Sequence, residues 1–118
     1  MNCSRFAITV LLCLGLSACG PRELQPDAAI DCDRCDDWNE PLKPFRIFGN
    51  TWYVGTDGLS SILIDTDDGL ILIDGALPQS AALIEENIRA LGFDPLDLRY
   101  ILVSHEHYDH AGGVRQFL

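Results

Sequence analysis

Apolar and polar positions alternate in short blocks along the middle of the chain, and these blocks predict strands. Phe45-Arg46-Ile47-Phe48 alternates with period two, Gly49-Asn50 turns, and Thr51-Trp52-Tyr53-Val54 is rich in β-formers. Gly55-Thr56-Asp57-Gly58 interrupts the pattern. Ser61-Ile62-Leu63-Ile64-Asp65-Thr66 and Leu70-Ile71-Leu72-Ile73-Asp74 are aliphatic runs joined around Asp67-Asp68-Gly69, which reads as a hairpin. Together they predict a meander buried on at least one face.

The period then changes. From Ser80 to Leu91, the residues Ala81, Ile84, Ile88 and Leu91 recur at helical spacing and form one apolar stripe, with Glu85, Glu86 and Arg89 on the solvated side. Ser80 is the expected N-cap and Gly92 the expected stop. Asp94-Pro95-Leu96-Asp97 turns the chain into Tyr100-Ile101-Leu102-Val103, a short apolar run that reads as a buried strand.

That strand delivers the densest chemistry in the protein. Ser104-His105-Glu106-His107-Tyr108-Asp109-His110 holds all 3 histidines of the sequence. Neutral imidazole and carboxylate are good zinc ligands, and a catalytic zinc takes about three protein ligands plus a water. His105 and His107, two apart in extended backbone, point the same way and are expected to share one metal. Asp109 and His110 then serve a second metal nearby. Two such ions roughly 3.5–4 Å apart lower the pKa of a bridging water and clamp the attacking and leaving atoms of a hydrolysis. Gly112-Gly113 follows, which predicts a tight loop leaving the strand and entering a helix.

The start of the chain reads as an export signal. Arg5 gives a short basic start, and Phe6 to Leu16 is an apolar run too short to span a bilayer comfortably. It ends in Leu16-Ser17-Ala18-Cys19, which resembles the bacterial lipoprotein signal. That resemblance implies a signal peptide over 1–18, lipidation of Cys19 and a membrane anchor through the lipid. Gly20 rather than aspartate then favours the outer membrane, facing the periplasm; an ordinary secretory signal cleaved near Ala18 is the other reading. Residues 19–44 carry Pro21, Pro26, Pro41 and Pro44 among many acids and read as an extended, solvated tether and lead-in. Cys32 and Cys35 form a C-x-x-C pair for which a local disulfide, a redox or metal role, and free thiols all stay open.

Eight basic against 18 acidic residues give a net charge of −10. No basic patch is present to neutralise phosphates, so nucleic acid is not an expected partner.

His105-Glu106-His107-Tyr108-Asp109-His110 resembles the signature of the metallo-β-lactamase superfamily. The resemblance implies an α/β fold, the αβ/βα sandwich with a dinuclear metal site between two sheets, of which residues 45–118 are only the N-terminal half. Asp37-Trp38-Asn39-Glu40-Pro41, Pro44 to Thr56 and Gly58-Leu59-Ser60-Ser61 resemble the third subclass of β-lactamases within it. Carried over, the resemblance implies that His105 and His107 bind a first Zn2+ and Asp109 and His110 a second. Asp109 is also the catalytic residue, and Asp74 supports the ligand loop from behind. The implied reaction is hydrolysis of the β-lactam amide bond by a metal-bound hydroxide, with a thioester or lactone hydrolase, or a non-catalytic lipoprotein remnant, as alternatives.

Each zinc of that family takes a further histidine from downstream, and none follows His110. The 118-residue chain by itself is therefore expected to bind zinc weakly and to show no chelator-sensitive turnover. Turnover of any β-lactam by this chain that EDTA abolishes contradicts that expectation.

Overall fold

A computed structural model describes residues 26–118, so the expected signal peptide over 1–18 and the expected lipidation site Cys19 lie outside the described residues. Strands β1 (Phe45–Phe48), β2 (Thr51–Tyr53), β3 (Ile62–Thr66), β4 (Gly69–Ile73) and β5 (Leu98–Leu102) form one five-stranded sheet in sequence order. The first four are antiparallel neighbours, joined by short turns at Gly49-Asn50 and Asp67-Asp68 and by a longer connection over 54–61. Strand β5 pairs with β4 in parallel, and the crossover is helix α1, Ala81–Ala90. The last strand starts at Leu98, two residues ahead of the apolar run that predicts it, because Leu98 pairs with Leu70.

The two faces of the sheet differ. Leu63, Leu70 and Leu72 are buried on one face, together with Leu77, Ile84 and Ile88 of the crossover. The helix stripe supplies Ala81, Ile84 and Ile88 to that core, so its helical spacing has the predicted cause. On the other face Ile62 pairs with Ile73, Ile64 with Ile71, and the parallel partners Tyr100 and Leu102 extend the row. These four isoleucines are only half-buried, and Tyr100 and Leu102 are 65% and 53% exposed, so β5 is not the buried strand its apolar run predicts. A sheet apolar on both sides needs a layer on each. Among the described residues this one has a helix on one face and no layer on the other, as befits part of a sandwich.

Two local expectations are corrected. Ser80 does not cap α1: the chain enters the helix through a 3-10 turn over Pro78–Ser80, Ser80 already has helical φ and ψ, and its side chain makes no cap bond. Its hydroxyl, fully buried, instead donates to the side-chain oxygen of Asn39 at 2.7 Å. The described part of the lead-in is also less solvated than its composition predicts. A short helix at Cys35–Trp38 buries Cys35, while Ile30, Cys32 and Trp38 pack against the same core. The acids of this segment stay outside, which lets a highly charged sequence dock by its few apolar residues. Gly92 ends α1 as expected, with a φ of 89° that suits glycine. No helix among the described residues is long and apolar enough to cross a membrane.

The core sets a ranking that can be measured. Truncating Leu72, fully buried between sheet and helix, is expected to cost about 2–5 kcal/mol. Arg89→Ala removes an exposed 2.8 Å pair with Glu85 one helical turn away and is expected to cost no more than about 0.5 kcal/mol. Urea midpoints of the two variants in the complete protein test this, and a reversed order contradicts the burial described.

Candidate metal centre

The centre is built where β4 and β5 end side by side. Beyond Ile73 the backbone turns through two residues of positive φ, Asp74 at 62° and Ala76 at 53°. Asp74 N–H donates to Leu102 O at 2.8 Å, Gly75 N–H to His110 O at 2.7 Å, and Gly113 N–H to Ala76 O at 3.1 Å. Ala76 and Ala111 form a parallel bridge. The turn after β4 is thus laced to the histidine-bearing segment at both ends.

Close approach explains the glycine pair. Both glycines have ordinary helical φ, −60° at Gly112 and −84° at Gly113. A Cβ on Gly113 would collide with the carbonyl oxygen of Gly75, and one on Gly112 with Pro78 and with the Tyr108 carbonyl. The expected helix does not start after the pair. A single turn, α2 (Tyr108–Ala111), precedes it, and a 3-10 turn over Val114–Phe117 follows. Asp109 and His110 therefore project from a helix while His105 and His107 lie in the loop leading to it.

All four predicted ligands come together. His105, His107 and Asp109 each offer a ligand atom, all within 4.8 Å of one another. The ring centroids of His105 and His110 lie 3.9 Å apart, and Asp109 Oδ2 lies 3.6 Å from His110 Nε2. Two imidazoles and one carboxylate, the histidines exposed and the acid half-buried, fit a divalent ion of the zinc type in both donor chemistry and number. The sequence reading pairs Asp109 with His110. In the structure Asp109 lies 3.6 Å from His110 Nε2 and also offers an oxygen within 4.8 Å of ligand atoms of His105 and His107, so it adjoins both expected pairs.

Asp74 lies behind this set, 7% exposed. Its carboxylate accepts from Ser104 N–H at 2.7 Å, from Ser104 Oγ at 2.7 Å and from His110 Nδ1 at 2.9 Å. Burial pushes the Asp74 pKa up, but the His110 and Ser104 hydrogen bonds outweigh it and hold the carboxyl below its ordinary value. An ionised Asp74 needs a proton on Nδ1 of His110, which turns the Nε2 lone pair outward as a metal donor. Ser104 was not singled out by sequence reasoning; its only signal is a hydroxyl directly before the histidines at a strand end. Cys32 and Cys35 are not part of the donor group and are bonded to each other as a disulfide.

Residues 54–118 match the family model described as Metallo-beta-lactamase superfamily. The N-acyl homoserine lactonase AttM of Agrobacterium fabrum is 50% identical over a stretch covering 69% of this chain and 33% of the lactonase. A solved subclass B3 metallo-beta-lactamase, described as the first with an active-site glutamic acid, superposes with a TM-score of 0.74 at 52% identity, covering 76% of this chain and 34% of that one. The metallo-beta-lactamase MIM-1 from Novosphingobium pentaromativorans superposes with a TM-score of 0.66 at 55% identity, covering 68% and 29%. The chain thus spans about a third of the length of the proteins it matches.

Removing the carboxylate behind the candidate ligands should weaken any metal held there. In the complete protein, Asp74→Ala is expected to weaken zinc binding about 10–100-fold in competition with a chromophoric chelator. Unchanged affinity in a folded Asp74→Ala protein refutes the role of this hydrogen-bond set.

Proposed function

Because the chain belongs to the metallo-beta-lactamase superfamily, we propose that it is the N-terminal part of a zinc-dependent hydrolase of β-lactams. The observation that carries this reading is the match to a subclass B3 structure over 76% of the chain at 52% identity. That span is too long to lie within residues 45–118, so it takes in part of the docked lead-in. A zinc ion at the centre supplies Lewis-acid polarisation of a carbonyl and a low pKa for water. His105 and His107 would hold one such ion and Asp109 and His110 a second, and Asp74 with Ser104 fixes the ring of His110. Asp109, the carboxylate of the donor set, orients the attacking water by accepting a hydrogen bond from it. Tyr108, half-exposed in the same segment, is a spacer between the donors that a substrate could touch.

A second reading rests on the lactonase AttM, 50% identical over 69% of the chain. Lactams and lactones share an acyl carbon that water attacks, so the same donors serve either ring. The proposal includes export and lipid anchoring at Cys19, which the Leu16-Ser17-Ala18-Cys19 pattern supports and which place the enzyme in the periplasm.

The complete protein, purified with zinc, distinguishes the readings when assayed against a carbapenem and an N-acyl homoserine lactone. Carbapenem turnover that EDTA abolishes and added zinc restores is the expected result. Turnover of the lactone alone assigns the second reading, and turnover of neither overturns both.

A further inference from the structure

The lead-in is clasped at three points to the segments that carry the ligand helix. The side-chain amide of Gln79 reads the peptide of Ile30 from both sides, accepting from its N–H at 3.2 Å and donating to its carbonyl at 2.9 Å. The next residue, Ser80, donates to Asn39 at 2.7 Å. Arg115, two residues past Gly113, pairs with Asp27 at 2.8 Å. The Cys32–Cys35 disulfide lies between the Ile30 and Asn39 clasps, with Cys35 3% exposed in the core. On its other side the clasped segment touches the ligand helix: Pro78 abuts Gly112, and Ala76 bridges Ala111.

We propose that residues 26–39 form a strap that positions helix α2 with its ligands Asp109 and His110, and that the Cys32–Cys35 disulfide is the redox-sensitive buckle of this strap. The inference rests on the metal-centre reading above. The bond spans a sequence separation of 3, so it removes little entropy from the unfolded chain. Its effect is local. It fixes a tight turn that brings Ile30 and Asn39 to the spacing at which adjacent residues, Gln79 and Ser80, bind both. Reduction leaves that turn held only by the Cys35 N–H to Cys32 carbonyl bond and the single helical turn Cys35–Trp38, which loosens the spacing of the two clasps. With a phosphine reductant the S–S bond breaks, the phosphine is oxidised to its oxide with oxygen from water, and the two protons of that water end on the two thiols.

The test uses the complete protein in three forms: oxidised, reduced with a phosphine, and as the double variant Cys32→Ala, Cys35→Ala. Hydrogen exchange of backbone amides and zinc affinity by chelator competition are measured on each. Faster exchange at residues 26–39, 76–80 and 107–117, unchanged exchange in β3 and β4, and a zinc dissociation constant raised about tenfold are expected on reduction and in the double variant. Gln79→Ala, which leaves the disulfide intact, is expected to reproduce the exchange pattern at 76–80 and 107–117. A change confined to 26–39, or one spread over the whole sheet, overturns the proposal. If the oxidised protein binds no zinc, the metal-centre reading fails, while the exchange pattern still decides whether the strap reaches the helix.

Discussion

The buried Asp74 carboxylate is the constraint on which the rest of this site depends. A charge removed from water must be fully hydrogen-bonded, and here the Ser104 amide, the Ser104 hydroxyl and His110 meet that demand. Satisfying it fixes the end of β4 against the loop after β5 and fixes one imidazole face. The sheet beneath supplies rigidity: β4 and β5 run parallel, so their ends, and the segments leaving them, emerge side by side.

Much of this was legible in the sequence. The strands of the meander follow from alternation and from the hairpin turn at Asp67-Asp68-Gly69, and the crossover helix follows from Ala81, Ile84 and Ile88. The four candidate ligands were visible as residue types packed behind an apolar strand. What could not be read was decided by contacts distant along the chain. Ser80 has a capping residue's chemistry, yet Asn39, 41 positions earlier, takes its hydroxyl. Gly112-Gly113 reads as a tight loop opening a helix, while its cause is close approach, by the Gly75 carbonyl at Gly113 and by Pro78 and the Tyr108 carbonyl at Gly112. Ser104 is unremarkable until Asp74, 30 positions away, is brought under it.

The lead-in shows the same limit. Its composition is that of a solvated chain, and its acids are indeed exposed. Composition does not report that Ile30, Cys32, Cys35 and Trp38 are enough to seat it on the core. Thr56 and Asn87 then fasten it by side-chain bonds to the carbonyls of Trp38 and Leu42. A few apolar anchors with satisfied backbone groups outweigh a run of acids that never has to leave water.

Ala76 occupies a left-handed turn that glycine would adopt without strain, at a cost of order 1 kcal/mol. Its methyl is fully buried in the core, so glycine there would exchange backbone relief for a void of one methyl group. The two effects are of similar size and opposite sign. The position is therefore close to indifferent in equilibrium stability, and what alanine contributes is stiffness: it narrows the conformations open to the turn. Disorder in that turn would be passed directly to Ala111 and the ligand helix bridged to it.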